Sequence, residues 1–185
     1  MKLLIASDIH GSAYWCRALI ERINAEQPDL ILLLGDLLYH GPRNDLPREY
    51  APREVIAMLN PLTPKLICVR GNCDGEVDRM VMDFTILEDA AVIADGNFVY
   101  CAVHGHHINE PKATPSIGNI VIHGHTHIPG INDAPECDKT GRKYINPGSV
   151  SIPRSDTPHS YMICEGGVFV WKELESGEEY NRYTL

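Results

Sequence analysis

The stretch Ile31-Leu32-Leu33-Leu34-Gly35-Asp36 joins a four-residue apolar run to a glycine and a carboxylate. Entered from Pro28-Asp29, the run has the length and composition of a strand buried on both faces, as found inside an α/β sheet. Gly35 lets the backbone turn without a Cβ, which leaves Asp36 just past the C-terminal end of the strand. Ligands collect at that end in open α/β sheets. The pattern recurs along the chain: Asp8 and His10 follow Leu3-Leu4-Ile5-Ala6, and Asn72 follows Leu66-Ile67-Cys68-Val69. His104 follows residues 98–103, and His125 and His127 follow Ile120-Val121-Ile122. Five hydrophobic runs thus deliver hard oxygens and imidazoles to one rim, and that arrangement predicts a metal site.

Outward from this rim, 185 residues with 44% hydrophobic content suffice for one domain with a full core, so residues 1–185 are expected to form a single domain. The first apolar run stops at Asp8, far short of a secretory signal, and no stretch has transmembrane length. The six cysteines show no paired spacing, which fits reduced thiols and a cytoplasmic protein. A net charge of −9 argues against a large nucleic-acid-binding face and leaves a small phosphorylated substrate held by cations compatible. A homo-oligomer stays open.

Residues 2–7 read as the first strand. Ser12 is the expected N-cap of a helix with Cys16, Leu19, Ile20 and Ile23 on one face, running to about Gln27. Residues 39–50 are loop by their Gly41-Pro42, Asn44-Asp45 and Pro47 punctuation. Pro52 opens a second helix closed by Asn60-Pro61, and residues 65–70 form a third strand, giving two βαβ units with a parallel sheet. A short helix over residues 76–82 follows. Asp95-Gly96-Asn97 and Glu165-Gly166-Gly167 then signal two hairpins, so the C-terminal half is expected to be largely antiparallel, with an acidic, partly mobile tail over 173–179. Parallel βα units first and hairpins later suggest two stacked sheets with helices outside.

Asp8-Ile9-His10 and His125-Thr126-His127 are i, i+2 pairs, which project to one side if the backbone is extended. Asp8, His10, Asp36, Asn72, His104, His125 and His127 exceed what one four-coordinate ion needs and suit two divalent ions sharing a bridge, with Asp36 in the central position. Carboxylate, amide and imidazole without clustered cysteine favour Mn²⁺, Fe²⁺ or Zn²⁺. His104 is preferred over His106 and His107 because it directly ends a strand. His123 is expected to pack or hydrogen-bond behind the ligands.

Asp8-Ile9-His10-Gly11, Gly35-Asp36, Gly71-Asn72-Cys73-Asp74, His104-Gly105 and Gly124-His125-Thr126-His127 resemble, in order, the signature blocks of the calcineurin-like metallophosphoesterases. His40-Gly41-Pro42-Arg43-Asn44 and residues 146–153 are similar to those of small bacterial and archaeal phosphodiesterases of the YfcE type. The resemblance covers roughly residues 1–153. It implies a four-layer α/β/β/α sandwich of two mixed β-sheets with one metal held by Asp8, His10, Asp36 and His127 and another by Asp36, Asn72, His104 and His125, Mn²⁺ being the first candidate for both. It also sets residues 146–153, a tight turn by composition, beside the site. Two ions flanking a water lower its pKa to about 7 or below, which supplies hydroxide for in-line hydrolysis of a small phosphodiester.

Catalytic candidates are Asn72, Cys73 and Asp74; Arg43, Asn44 and His106 are candidates for substrate contact, Arg43 also for electrostatic stabilisation. Many relatives carry His where this chain has Cys73, and a thiol is a poor acid for an alkoxide leaving group, which favours stable leaving groups and diesters over phosphomonoesters. The rival readings are a phosphomonoesterase acting on small metabolites and a non-catalytic scaffold of this fold, as in the retromer subunit. Every ligand position here holds a competent residue, unlike a degenerate scaffold. The metallo-β-lactamase block and H-E-x-x-H are absent.

Overall fold

The computed structural model describes residues 1–87, 89–110, 112 and 114–185. Strand β1 (Lys2–Ala6) leads into helix α1 (Ala13–Glu26), and β2 (Leu30–Leu33) is followed by α2 (Pro52–Leu59) and β3 (Leu66–Val69). Ser12 caps α1 as its composition predicts, its hydroxyl accepting from the Trp15 amide at 3.3 Å. After α2 the expected stop at Asn60-Pro61 is instead a tightening, because residues Asn60–Lys65 continue as a 3-10 segment. Helix α3 (Glu76–Val81) and the short β4 (Ile86–Leu87) complete this half. Then come β5 (Ala90–Asp95), β6 (Phe98–Val103), β7 (Ile120–His123), β8 (Gly130–Asp133), β9 (Lys143–Asn146), β10 (Ser160–Glu165), β11 (Val168–Glu173) and β12 (Glu179–Thr184).

Two mixed sheets result. The larger runs β12-β11-β10-β1-β2-β3-β4 and the smaller β5-β6-β7-β9-β8. Strands β1, β2 and β3 are parallel, as the two βαβ units require. Both expected hairpins form, β5–β6 and β10–β11. The antiparallel expectation fails between them, however, because β6, β7 and β9 run parallel. The tail also differs. Residues 173–178 make a turn in which Glu173 donates its amide to the Glu178 carbonyl at 2.9 Å, and β12 then pairs along β11 as an edge strand.

Why the central strands lack polar alternation is visible in their burial. Leu4, Ala6, Ile31 and Leu33 face Cys16 and Leu19 of α1 and Val55 and Leu59 of α2. Leu3, Ile5 and Leu32 point the other way, onto Tyr100, Ile122 and Ile145 of the smaller sheet. Each fully buried Leu or Ile contributes about 1.5–3 kcal/mol, so both faces are anchored independently. Over the outer face of the smaller sheet, Cys101, Val103, Val121 and Tyr144 are covered by loops carrying Ile108 and Ala134; among the described residues no helix lies there.

One charge cluster ties the termini of these elements together. Glu26, at the end of α1, accepts from Lys2 of β1 at 2.8 Å and from the Tyr161 hydroxyl of β10 at 3.0 Å, and also pairs with Lys172 of β11. Burial works against its charge, but these donors bring the carboxyl down to about 2. A depressed folded-state value stabilises above the unfolded value near 4.5 and is lost as pH falls through about 2. Glu26→Gln should therefore cost about 1–2 kcal/mol at pH 7 by chemical denaturation, with the gap from wild type closing as pH falls toward 2. A gap independent of pH would assign the loss to packing.

Candidate metal centre

The proposed ligands stand where parallel strands end: Asp8 and His10 after β1, Asp36 after β2, Asn72 after β3, His104 after β6, and His125 and His127 after β7. At five of the seven the backbone is not extended. Asp8, His10, Asp36, His125 and His127 have φ of 59°, 48°, 56°, 66° and 61°, all left-handed, so the i, i+2 pairs converge through tight loops and not along strands. Such conformations cost about 1–3 kcal/mol each and persist only where the surroundings over-determine them. Here they do: the Asp8 amide donates to the Gly35 carbonyl at 3.1 Å, and the His10 amide to the Asp36 carbonyl at 2.9 Å. Ser149 and Ser151 both donate hydroxyl hydrogen bonds to the Asp8 carbonyl at 3.0 Å, which places the 146–153 turn against the site.

Three imidazoles are held in one orientation. His10, His104 and His127 donate from Nδ1 to the carbonyls of Tyr39, Leu34 and Ile152 at 2.8, 2.6 and 2.6 Å. That tautomer leaves each Nε2 as a lone pair aimed inward. The His10 and His127 Nε2 atoms then face each other at 3.3 Å. Asp8 Oδ1 is buried without a donor, 3.1 Å from His127 Nε2 and 3.5 Å from His10 Nε2. Asp36 Oδ2 lies 3.4 Å from His104 Nε2 and 3.7 Å from His10 Nε2.

Lone pairs and carboxylates this close repel unless positive charge sits among them, either as protons on the rings or as a cation. The proton version shows in the acidities. Burial opposes a charge on His104, yet Asp36 and Asp8 raise it to about 9. Burial likewise disfavours an ionised Asp8, but hydrogen bonding with His10 and His127 holds it well below the usual carboxylate range. A divalent ion meets the same demand with these donors, so the residues present fit a metal centre.

Overlapping groups Asp8/His10/His127, Asp8/Asp36/His104 and His10/Asp36/Cys73 each gather their ligand atoms within 4.8 Å. Asp36 belongs to two of them and Asp8 to two. Asn72 Oδ1 lies 3.1 Å from His104 Nε2. His125 stands at the edge, its ring centroid 5.1 Å from that of His104 and its amide donating to Asp8 Oδ2 at 3.1 Å; among the described residues it joins none of the three groups.

The remaining candidates separate by position. Asp74 is buried, and its carboxylate accepts from the amides of Asp36, Leu37 and Gly71 at 2.8, 2.8 and 2.7 Å, so it fixes two ligand loops and does not face the cleft as a catalytic group would. Cys73 donates its amide to Asp36 Oδ1 at 2.7 Å, and its thiol, pushed up to about 12 by burial and by Asp36, accepts from Asn72 Nδ2 at 3.2 Å. His123 sits behind the ligands, its Nδ1 beside the Gly124 carbonyl at 3.1 Å, as expected. Arg43 and Asn44 line a cleft of about 360 Å³ with His10, Asn72 and His127. His106 lines a separate hollow of about 330 Å³ with His104 and His107. Arg154, also in the first cleft, was not legible as a site residue, since only the Pro153 before it belongs to the turn motif.

Parallel strands of two stacked sheets ending in one carboxylate–imidazole cluster define a metal-binding α/β sandwich. Residues 1–166 match the calcineurin-like phosphoesterase superfamily domain, and the chain belongs to that family. It is 38% identical over 170 residues to phosphodiesterase YfcE of Escherichia coli strain K12, covering 91% of this chain and 89% of that protein. It is 27% identical to a probable metallophosphoesterase, YsnB, of Bacillus subtilis, covering 88% of this chain and 83% of that protein. A solved structure of the E. coli phosphoesterase YfcE superposes with a TM-score of 0.89 at 35% identity over 100% and 99% of the two chains. Zinc-complexed Vps29 from Entamoeba histolytica, at 22% identity and a TM-score of 0.63 over 99% and 98%, shares the fold.

Close approach explains why Gly124 precedes His125. A Cβ there would lie 2.0 Å from Ser7 Oγ and 2.8 Å from Asp8 Oδ2. Gly124→Ala should push Asp8 off its position and lower tightly held Mn²⁺, measured by elemental analysis, at least twofold below Gly75→Ala, whose added methyl meets nothing within 4 Å. Equal metal content in the two variants would show that Asp8 is not held by this contact.

Proposed function

We propose that the chain is a phosphodiesterase acting on small phosphodiesters with two divalent cations, Mn²⁺ ahead of Fe²⁺ and Zn²⁺. The observation that supports this most is the commitment of three Nδ1 atoms to backbone carbonyls, which turns three Nε2 lone pairs toward the Asp8 and Asp36 carboxylates. Asp8, His10, Asp36 and His127 would hold one ion, and Asp36, Asn72, His104 and His125 the other. When bound, such ions acidify water to a pKa of about 7 and draw charge from phosphate oxygens.

The chain's own residues do the rest. Asp36 would take the position shared by the two ions, and Asp74 holds its loop by accepting the Asp36 amide. Arg43 offers a guanidinium to the phosphate at the cleft rim. The His104–Asn72 contact stands between the two hollows, one lined by each residue, and two hollows accommodate the two arms of a diester. No strong acid occupies the position of Cys73, so alkyl leaving groups depart slowly and phosphomonoesters are poor substrates. A charge of −9 disfavours large nucleic acids, and six free cysteines suit the cytoplasm.

Chelation should abolish hydrolysis of a nitrophenyl diester and Mn²⁺ should restore it; full turnover after exhaustive metal removal would end this reading. Cys73→Ala should leave that activated diester within about twofold of wild type, while Cys73→His should raise kcat on an alkyl phosphoester by about 10²-fold or more. A large loss with Cys73→Ala at full metal occupancy would give the thiol a direct role.

A further inference from the structure

The chain is acidic, with 25 Asp and Glu against 16 Lys and Arg, yet the cleft beside the metal centre carries two arginines. Three other arginines are paired with carboxylates: Arg17 with Glu49, Arg142 with Asp138, Arg182 with Glu179. Among the described residues, neither Arg43 nor Arg154 has a carboxylate partner. Arg154 is nonetheless held at several points. Its amide donates to the carbonyl of the ligand His127 at 3.2 Å, and its own carbonyl accepts from the Thr157 hydroxyl at 2.7 Å. One guanidinium nitrogen, Nη2, donates to Asn44 Oδ1 at 3.2 Å, and Asn44 Nδ2 in turn donates to the His40 carbonyl at 2.7 Å. The loop bearing Arg43 is thereby tied to the loop bearing Arg154, and the other guanidinium N–H groups of Arg154 stay uncommitted.

One guanidinium suffices for the reacting group, and Arg43 at the rim takes that place; Arg154, held to Asn44, is left over. A phosphodiester brings one negative charge, which Arg43 and the divalent ions this centre would hold already meet. The surplus positive charge in the cleft matches a dianion, and guanidinium forks fit phosphate oxygens better than any other side chain does. We infer that Arg154, tied to Asn44 of the Arg43 loop, forms a subsite for a terminal phosphate, so the preferred substrate is a phosphodiester with a second, monoester phosphate on one arm. This inference rests on the phosphodiesterase reading above. Arg154 touches no reacting atom in it; it sets specificity by holding the distal group.

The test compares the p-nitrophenyl ester of thymidine 5′-phosphate with the same diester carrying a 3′-phosphate, using Mn²⁺-loaded protein. Wild type should favour the 3′-phosphorylated diester at least tenfold in kcat/KM, mainly through KM. That ratio should fall at least fivefold in Arg154→Ala and be partly kept in Arg154→Lys. As a readout independent of turnover, calorimetric titration should show thymidine 3′,5′-bisphosphate binding at least tenfold tighter than thymidine 5′-phosphate, with the difference largely lost in Arg154→Ala. A wild-type preference under twofold, or a ratio unmoved by Arg154→Ala, overturns the subsite. If neither diester is hydrolysed, the phosphodiesterase reading fails instead, and the titration still decides whether Arg154 binds the second phosphate.

Discussion

Two carboxylates, Asp8 and Asp36, are buried between stacked sheets beside three imidazoles whose lone pairs converge on them. Desolvating ionised groups is expensive, and only positive charge at their focus offsets it. Much of the surrounding architecture serves to keep that focus in place. Left-handed backbone at five ligands is locked by neighbouring loops, Asp74 spends its whole carboxylate on three amides, and Gly71 leaves the space that Asp36 fills, since a Cβ there would lie 2.1 Å from Asp36 Oδ1. The site is a consequence of how five strand ends and their loops meet, not of any one motif.

This meeting explains why a single sandwich supports different outcomes. Vps29 from Entamoeba histolytica shares the fold over nearly its whole length at 22% identity. What distinguishes an enzyme from a scaffold on such a framework is the set of side chains at the strand ends. In this chain each proposed ligand position holds a side chain able to coordinate, and the Tyr39, Leu34 and Ile152 carbonyls hold His10, His104 and His127 with Nε2 turned inward. At Cys73 proton donation is weak, and its thiol serves Asn72 as an acceptor.

Much of this was legible in the sequence because the governing signals are local. Ser12 followed by a 3.6-period apolar face fixes α1, and unbroken apolar runs ending in Asp, Asn or His mark strands buried on both faces with chemistry at their ends. The unread parts depend on contacts remote along the chain. The parallel pairing of β6, β7 and β9 is set by long connections that composition does not describe. Left-handed φ at Asp8 or His127 follows from hydrogen bonds to residues far away in sequence, so the expectation of an extended pair was reasonable from spacing and wrong in geometry. The strand β12 was missed because Glu179-Tyr180-Asn181-Arg182-Tyr183-Thr184 is largely exposed and pairs on one edge alone. Asp74 was misread as catalytic for a related reason: adjacency to Asn72 and Cys73 says nothing about which way a carboxylate turns.

The central claim is that Asp36 bridges two cations at these strand ends. Crystals grown with Mn²⁺ and measured at the manganese absorption edge test it most directly. The account predicts two anomalous peaks about 3.5–4 Å apart with an Asp36 oxygen between them, one peak beside Asp8, His10 and His127 and the other beside Asn72, His104 and His125. A single peak, or two peaks without an Asp36 oxygen shared between them, would contradict it.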